Sequence, residues 1–192
     1  MIRTVQEFEA AGVSGMSIED IAVPLAFGQS EDEHRLIRVD EMVGKLRAAL
    51  AARTDPSLVI AARTAALKHE GIESVVVRAK AYAAAGVDAI WMVTLGNLEE
   101  LQAIHDVAKL PIIVGTDHAA LTREELAAHG ARVMLQGHLP IRAAAKALRE
   151  AYEHLALGGT PDDLNGIVAG SDEMDRWLHV ERYRQSLGDY LR

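Results

Sequence analysis

A chain of 192 residues with 28 acids against 20 Lys and Arg carries a formal charge of −8, which argues against non-specific nucleic-acid binding. No cysteine is present, so disulfides, thiolate metal ligands and a cysteine nucleophile or general acid are excluded. No apolar run approaches the roughly 18–20 residues needed to cross a membrane, and a core of Ala, Val, Leu and Ile is expected because aromatics make up only 4% of the chain.

The first segment, MIRTVQEFEAAG, reads as an amphipathic helix; it carries acids and lacks the apolar stretch of a signal peptide, so a cytoplasmic location is expected. Five short, nearly continuous apolar runs follow: GMSI (15–18), SLVIAA (57–62), AIWMV (89–93), PIIVG (111–115) and RVMLQG (132–137). Runs of this kind suit parallel strands buried on both faces. Between and after them lie helical patterns at 39–53, 72–86, 98–109, 122–130 and 141–156, with apolar residues at helical spacing and charges opposite. Thr122 ahead of Glu124 and Glu125 is placed as an N-cap, and Gly86 and Gly130 where helix-terminating glycines sit.

Alternating strands and helices predict βαβ units and a parallel sheet. EFEAAGVSGMSI, AYAAAGVDAIWMV and ELAAHGARVMLQG repeat one helix–Gly–strand pattern, which favours a (β/α) barrel over a doubly wound sheet. No GxGxxG or GxxxxGK[ST] occurs, so the phosphate-cradling glycines of dinucleotide and P-loop folds are missing. The expected architecture is α/β, a partial barrel of about five parallel strands over residues 1–157, followed by a turn-rich extension over 158–192. A closed barrel needs eight strands, and an open arc leaves unpaired edges and an inner face to be covered.

Barrel active sites lie at the C-terminal ends of the strands. The polar residues there are Glu19 and Asp20, Arg63 and Thr64, Thr94 with Asn97, Thr116 with Asp117 and His118, and Gln136 with His138. Acids, an arginine and two histidines on one rim suit an anionic, metal-chelating substrate. Each also has a plainer reading: Asp20 caps the following turn, Arg63 forms a structural ion pair with Glu19, and His138 bonds a neighbouring loop. His34, His69, His105, His129, His154 and His179 fall on helices or loops and are expected to be solvated; EDEH (31–34) is expected to be a solvated loop, placed where a lid would be.

GMSIEDIAVPLAFG, VDEMVGKLRAALAARTDPSLVIAART and RAKAYAAAGVDAI together resemble the isocitrate lyase/phosphoenolpyruvate mutase superfamily, over nearly the whole chain to about residue 156. PLAFG after IED, and GH after the last strand, place the resemblance nearest the oxaloacetate decarboxylase-like branch. The resemblance implies a (β/α)8 barrel with a swapped last helix, assembled as a homo-oligomer (dimer or tetramer) and acting on small keto dicarboxylates through an enolate with Mg2+ or Mn2+. It places Glu19 behind a metal-bound water, Arg63 on a substrate carboxylate and the enolate side, and His138 near the distal carboxylate.

Some residues depart from the pattern. The lyases use a Lys-Lys-Cys-Gly-His loop, where this chain has FGQSEDEH and no cysteine; Ile21 stands where the mutase and hydrolase branches favour Lys, and Asp117 where the decarboxylase branch has an aromatic. The Asp-x-Asp-x-Gly-Tyr-Gly metal loop should precede a helix like IRTVQEFEAAG, which here begins at the first residues. The expectation is therefore an N-terminally truncated carbon–carbon lyase that lacks its primary metal ligands and is impaired as it stands. The alternatives are a lyase or hydrolase of another substituted keto or malate-type acid, and a non-catalytic barrel fragment or assembly subunit.

Overall fold

A computed structural model describes residues 1–24, 27, 28, 30, 35–117 and 121–191, with the backbone alone at 116 and 117. The elements run α1 (Ile2–Ala10), β1 (Gly15–Glu19), α2 (Val39–Ala52), β2 (Val59–Thr64), α3 (Ala66–His69), α4 (Ile72–Ala85), β3 (Ala89–Thr94), α5 (Leu98–Ala108), β4 (Ile112–Asp117), α6 (Arg123–Ala128), β5 (Ala131–Met134), α7 (Leu139–Ala156), α8 (Ser171–Trp177) and α9 (Val180–Tyr190). All five expected strands form, in one parallel sheet of order β1-β2-β3-β4-β5. Two differ in extent. Ser57 and Leu58 fall in the turn before β2, because Asp55 ties down the Ser57 amide and hydroxyl. That shift brings Arg63 and Thr64 inside the strand. β5 stops at Met134, beyond a register irregularity against β4.

Local signals explain the helices. Asp40 and Glu41 occupy the positive first turn of α2, and Met42, Leu46 and Ala49 recur at helical spacing on its buried face. Asn97 caps α5 by accepting from the Glu100 amide, and Thr122 with Glu125 makes a reciprocal capping box on α6. Gly86 ends α4 at φ +100°, a left-handed conformation that only glycine enters cheaply.

Ile18, Ile60, Ala62, Ile90, Met92, Ile112 and Val114 pack from one sheet face against Leu46, Val75, Ala79, Tyr82, Leu101 and Ile104 of the helices. Each fully buried large aliphatic contributes about 1.5–3 kcal/mol. The other face is apolar and open, lined by Gly15, Ser17, Val59, Ala61, Trp91, Ile113 and Val133. The alternation along the strands is therefore two-sided: even-numbered positions of β1–β3, with Ile112 and Val114 of β4, enter the helix-covered core, and odd-numbered ones of β1–β3 face the interior of the arc. An ion pair staples the other end of this sheet. Arg53 Nη1 lies 2.6 Å from Asp88 Oδ2, which also accepts from the Ile60 amide at 2.8 Å.

Residues 1–137 form one compact unit and residues 138–192 another, so α7 groups with the tail, ahead of the boundary expected at 157. Within the second unit α7 buries none of its residues. Its C-terminus is tied to the following turn, where His154 Nε2 lies 3.1 Å from Asp163 Oδ2. The Thr160 amide and hydroxyl, with His154 beside them, pull the Asp163 carboxyl down to about 2. Among the described residues, no helix is long and apolar enough to cross a membrane.

Candidate active site

Glu19 is the last residue of β1 and Arg63 the penultimate residue of β2, and the parallel register sets them directly opposite one another. Arg63 is in turn paired with Trp91 of β3. Three side chains from adjacent strands thus stand in one row on the inner face, at the end where a barrel presents its chemistry. Glu19 Oε1 lies 3.1 Å from Arg63 Nε, and both side chains are about one-third exposed (30% and 34%). The contact is close but not aligned as a hydrogen bond, so among the described residues the buried Nε–H of Arg63 has no hydrogen-bond acceptor. Cζ of the same guanidinium sits 5.1 Å from the centroid of the Trp91 ring.

Glu19 and Arg63 border a cavity of about 540 Å³, whose charged side also holds Lys45, Lys68 and His69 and whose other walls include Met16, Ile18, Ile21, Val23 and Val93; Trp91 lines the apolar pocket of the inner face instead. Among the described residues Lys45, Arg63 and Lys68 stand beside the Glu19 carboxylate, a lining suited to anions. Lys45, on α2, donates to the Glu19 carbonyl at 3.2 Å, so it braces the end of β1 as well as facing the cavity.

Behind the row lies a second polar cluster, fully enclosed. Asp20 is 0% exposed. Its Oδ2 accepts from Thr64 Oγ1 at 2.7 Å, from the Tyr82 hydroxyl at 2.8 Å and from Arg78 Nη1 at 3.3 Å, while Oδ1 takes the Ala65 amide at 3.3 Å. Burial, and then the Asp20 charge, raise the Tyr82 phenol well above its ordinary value. The Asp20 amide donates to the Arg63 carbonyl at 3.2 Å and its carbonyl accepts from the Ile37 amide at 2.8 Å. Arg78 closes the set by donating to the Ile37 carbonyl at 3.0 Å. Asp20 therefore locks the ends of β1 and β2 together and pins the returning stem of the segment that leaves at Ile21, where an isolated Ile21–Leu36 bridge keeps the two stems side by side.

The structure brings Glu19 and Arg63 together, and the ion pair that was one reading of them is present. Asp20 is neither a turn cap nor a group facing the cavity; it is a buried hub. His138 stands at the N-cap of α7 without a side-chain cap bond and belongs to the second unit. Asp117 ends β4, and its side chain, His118 and the EDEH run lie outside the described residues. His69 lines the cavity instead of facing only solvent. Trp91, Lys45, Arg78 and Tyr82 were missed. Arg78 and Tyr82 are one helical turn apart on the buried face of α4, and an arginine among Val75, Ala79 and Tyr82 was the available signal.

A divalent cation needs several oxygen ligands. Among the described residues no group of three or more His, Asp or Glu could hold a metal ion, and Glu19 is the one carboxylate bordering the cavity. The residues present do not make an inner shell for Mg2+.

Comparison with known proteins places this geometry. The family model for phosphoenolpyruvate phosphomutase matches residues 1–156. A relative from Rhodopseudomonas palustris (strain HaA2), an oxaloacetate decarboxylase, is 44% identical over 175 residues, covering 91% of this chain and 60% of its own length. The crystal structure of a phosphoenolpyruvate phosphomutase from Streptomyces platensis subsp. rosaceus superposes with a TM-score of 0.86 at 25% identity, covering all of this chain and 68% of that one. A phosphonopyruvate hydrolase in complex with oxalate and Mg2+ superposes at 0.79 with 30% identity, over 100% and 68% of the two chains. The chain thus spans about 60% of the length of the decarboxylase relative.

Proposed function

The chain belongs to the phosphoenolpyruvate phosphomutase family, and from that premise we propose that it is part of a carbon–carbon lyase of the isocitrate lyase/phosphoenolpyruvate mutase superfamily that decarboxylates oxaloacetate or a near relative. One observation supports this most: a buried arginine Nε–H without a hydrogen-bond acceptor among the described residues, in a cavity that Lys45 also lines. The similarity to decarboxylases at 44% identity selects among anions.

In this reading Arg63 binds the carboxylate next to the keto group and stays beside the keto oxygen. When the bond from C3 to the distal carboxylate breaks, its electron pair moves onto that oxygen, giving a pyruvate enolate and CO2. The guanidinium offsets the developing charge in a partly dry site, where such a fixed cation acts more strongly than in water. A proton from solvent then reaches C3 to give pyruvate. Glu19 holds Arg63 through its ion pair and presents the cavity's carboxylate. Asp20 keeps the two strand ends in register. Dependence on Mg2+ or Mn2+, with Glu19 reaching the ion through water, and assembly as a homo-oligomer belong to the same proposal for the whole protein. The described residues supply no inner shell for the ion. For the same reason the turnover expected of the 192-residue chain alone is low.

The test is pyruvate formation from oxaloacetate at saturating Mg2+, corrected for the metal-only rate, in the chain and in Arg63→Ala and Glu19→Gln. Arg63→Ala is expected to lower kcat/KM about 100-fold or more, the scale of losing one charge-stabilising donor. A rate above the metal-only background that is unchanged in Arg63→Ala would exclude this chemistry.

A further inference from the structure

Trp91 has no part in the chemistry above, yet its setting is built around it. It is the one large aromatic on the inner face of β1–β3; Arg63 and Ile113 flank it on the adjacent strands, while Gly15 and Ser17 on β1 and Ala61 on β2 are small. These leave room for an indole. The register places the ring beside Arg63, with Cζ 5.1 Å from its centroid. The Glu19 ion pair tethers one edge of the guanidinium; an electron-rich ring under its face restrains its plane as well. Stacking occupies the guanidinium's face and leaves its in-plane N–H groups for acceptors. One of these, Nε–H, is buried and has no hydrogen-bond acceptor among the described residues.

We infer that Trp91 is the positioning residue for Arg63. It lines the apolar layer beneath Arg63, sets the plane in which the guanidinium meets a carboxylate, and reports that carboxylate's arrival through its own emission. This rests on the reading of Arg63 as a carboxylate-binding group, but not on turnover.

Trp91 and Trp177 are the chain's two tryptophans, and Trp177 is exposed on α8 in the second unit. Trp177→Phe therefore leaves Trp91 as sole reporter. In that background oxalate with Mg2+ is titrated by emission, and by calorimetry in Trp91→Leu and Trp91→Phe, with far-ultraviolet dichroism checking the fold. Oxalate is expected to change Trp91 emission, Trp91→Leu to weaken binding roughly 3- to 30-fold, and Trp91→Phe to restore most of it. Equal affinity in all three would overturn the inference and leave the Arg63 reading intact. Absence of any oxalate binding in the parent chain overturns both. Binding that depends on Trp91 without oxaloacetate turnover keeps this inference and removes the proposed reaction. Should Trp91→Leu fail to fold, Arg63→Ala in the Trp177→Phe background decides the matter, since a stacked cation must shift the emission when it is removed; an unchanged spectrum overturns the inference.

Discussion

Arg78 reaches from α4 to Asp20 at the end of β1, Nη1 to Oδ2 at 3.3 Å, with 7% of one side chain and none of the other open to solvent. The pair spans 58 positions in sequence and joins a helix, two strand ends and the Ile37 carbonyl. Removing one partner of such a pair strands the other charge in the interior. Asp20→Ala is expected to cost about 3–5 kcal/mol in urea unfolding, and Asp20→Ala with Arg78→Met less than the sum of the two. Additive losses would mean that the carboxylate and guanidinium are not energetically coupled.

Tyr82 makes alkaline stability a test of the same cluster. Its folded pKa lies above the ordinary tyrosine value of about 10, because burial and the Asp20 charge oppose the phenolate. A raised acid pKa contributes stability that is whole below about pH 10 and drains away above it, as the unfolded chain ionises and the folded one does not. Tyr152, Tyr183 and Tyr190 are exposed. Absorbance at the tyrosinate band should include a step that appears only as dichroism is lost, and Tyr82→Phe should remove that step. Tyrosinate absorbance that reaches its full amplitude while the dichroism is intact would refute the buried placement.

Gly115 tests the seam between β3 and β4. A Cβ there would stand 2.2 Å from the Val93 carbonyl oxygen, backbone that cannot yield as a side chain tip would, next to the register irregularity between Met92 and Thr94. Gly115→Ala is expected to cost at least about 1–3 kcal/mol and to lower Tm by several degrees. An unchanged Tm would show that the two strands separate there without penalty.

The strands and most helices were legible because continuous β-branched runs and 3.6-residue spacing are local signals, and caps such as Thr122–Glu125 lie within four residues. Glu19 and Arg63 were legible as strand-end polar groups, and their pairing followed from a register that parallel neighbours impose. The role of Asp20 was not. Its four donors come from Thr64, Ala65, Arg78 and Tyr82, and nothing near Asp20 in sequence announces them. Trp91 was read only as a strand residue, because which face of a two-sided strand an indole takes depends on the small residues opposite it. Arg78 was hidden for a related reason: charge on an amphipathic helix is ordinarily outward, and only the distant carboxylate makes the inward position tolerable.

Sequential strand order gives this arc a mechanical character of its own. Each strand bonds only to the one before and the one after it in the chain, and the helices α1, α2, α4, α5 and α6 touch in the same order. The sheet is thus assembled as a row of neighbours, like the repeats of a solenoid, with stability built unit by unit and seam by seam. Structure can start at the best-packed middle, around β2, α4 and β3, and spread outward in either direction. A nick in any βα connection would leave both pieces with the seams they already had, so two halves expressed apart should find each other again along one strand ladder and one helix contact.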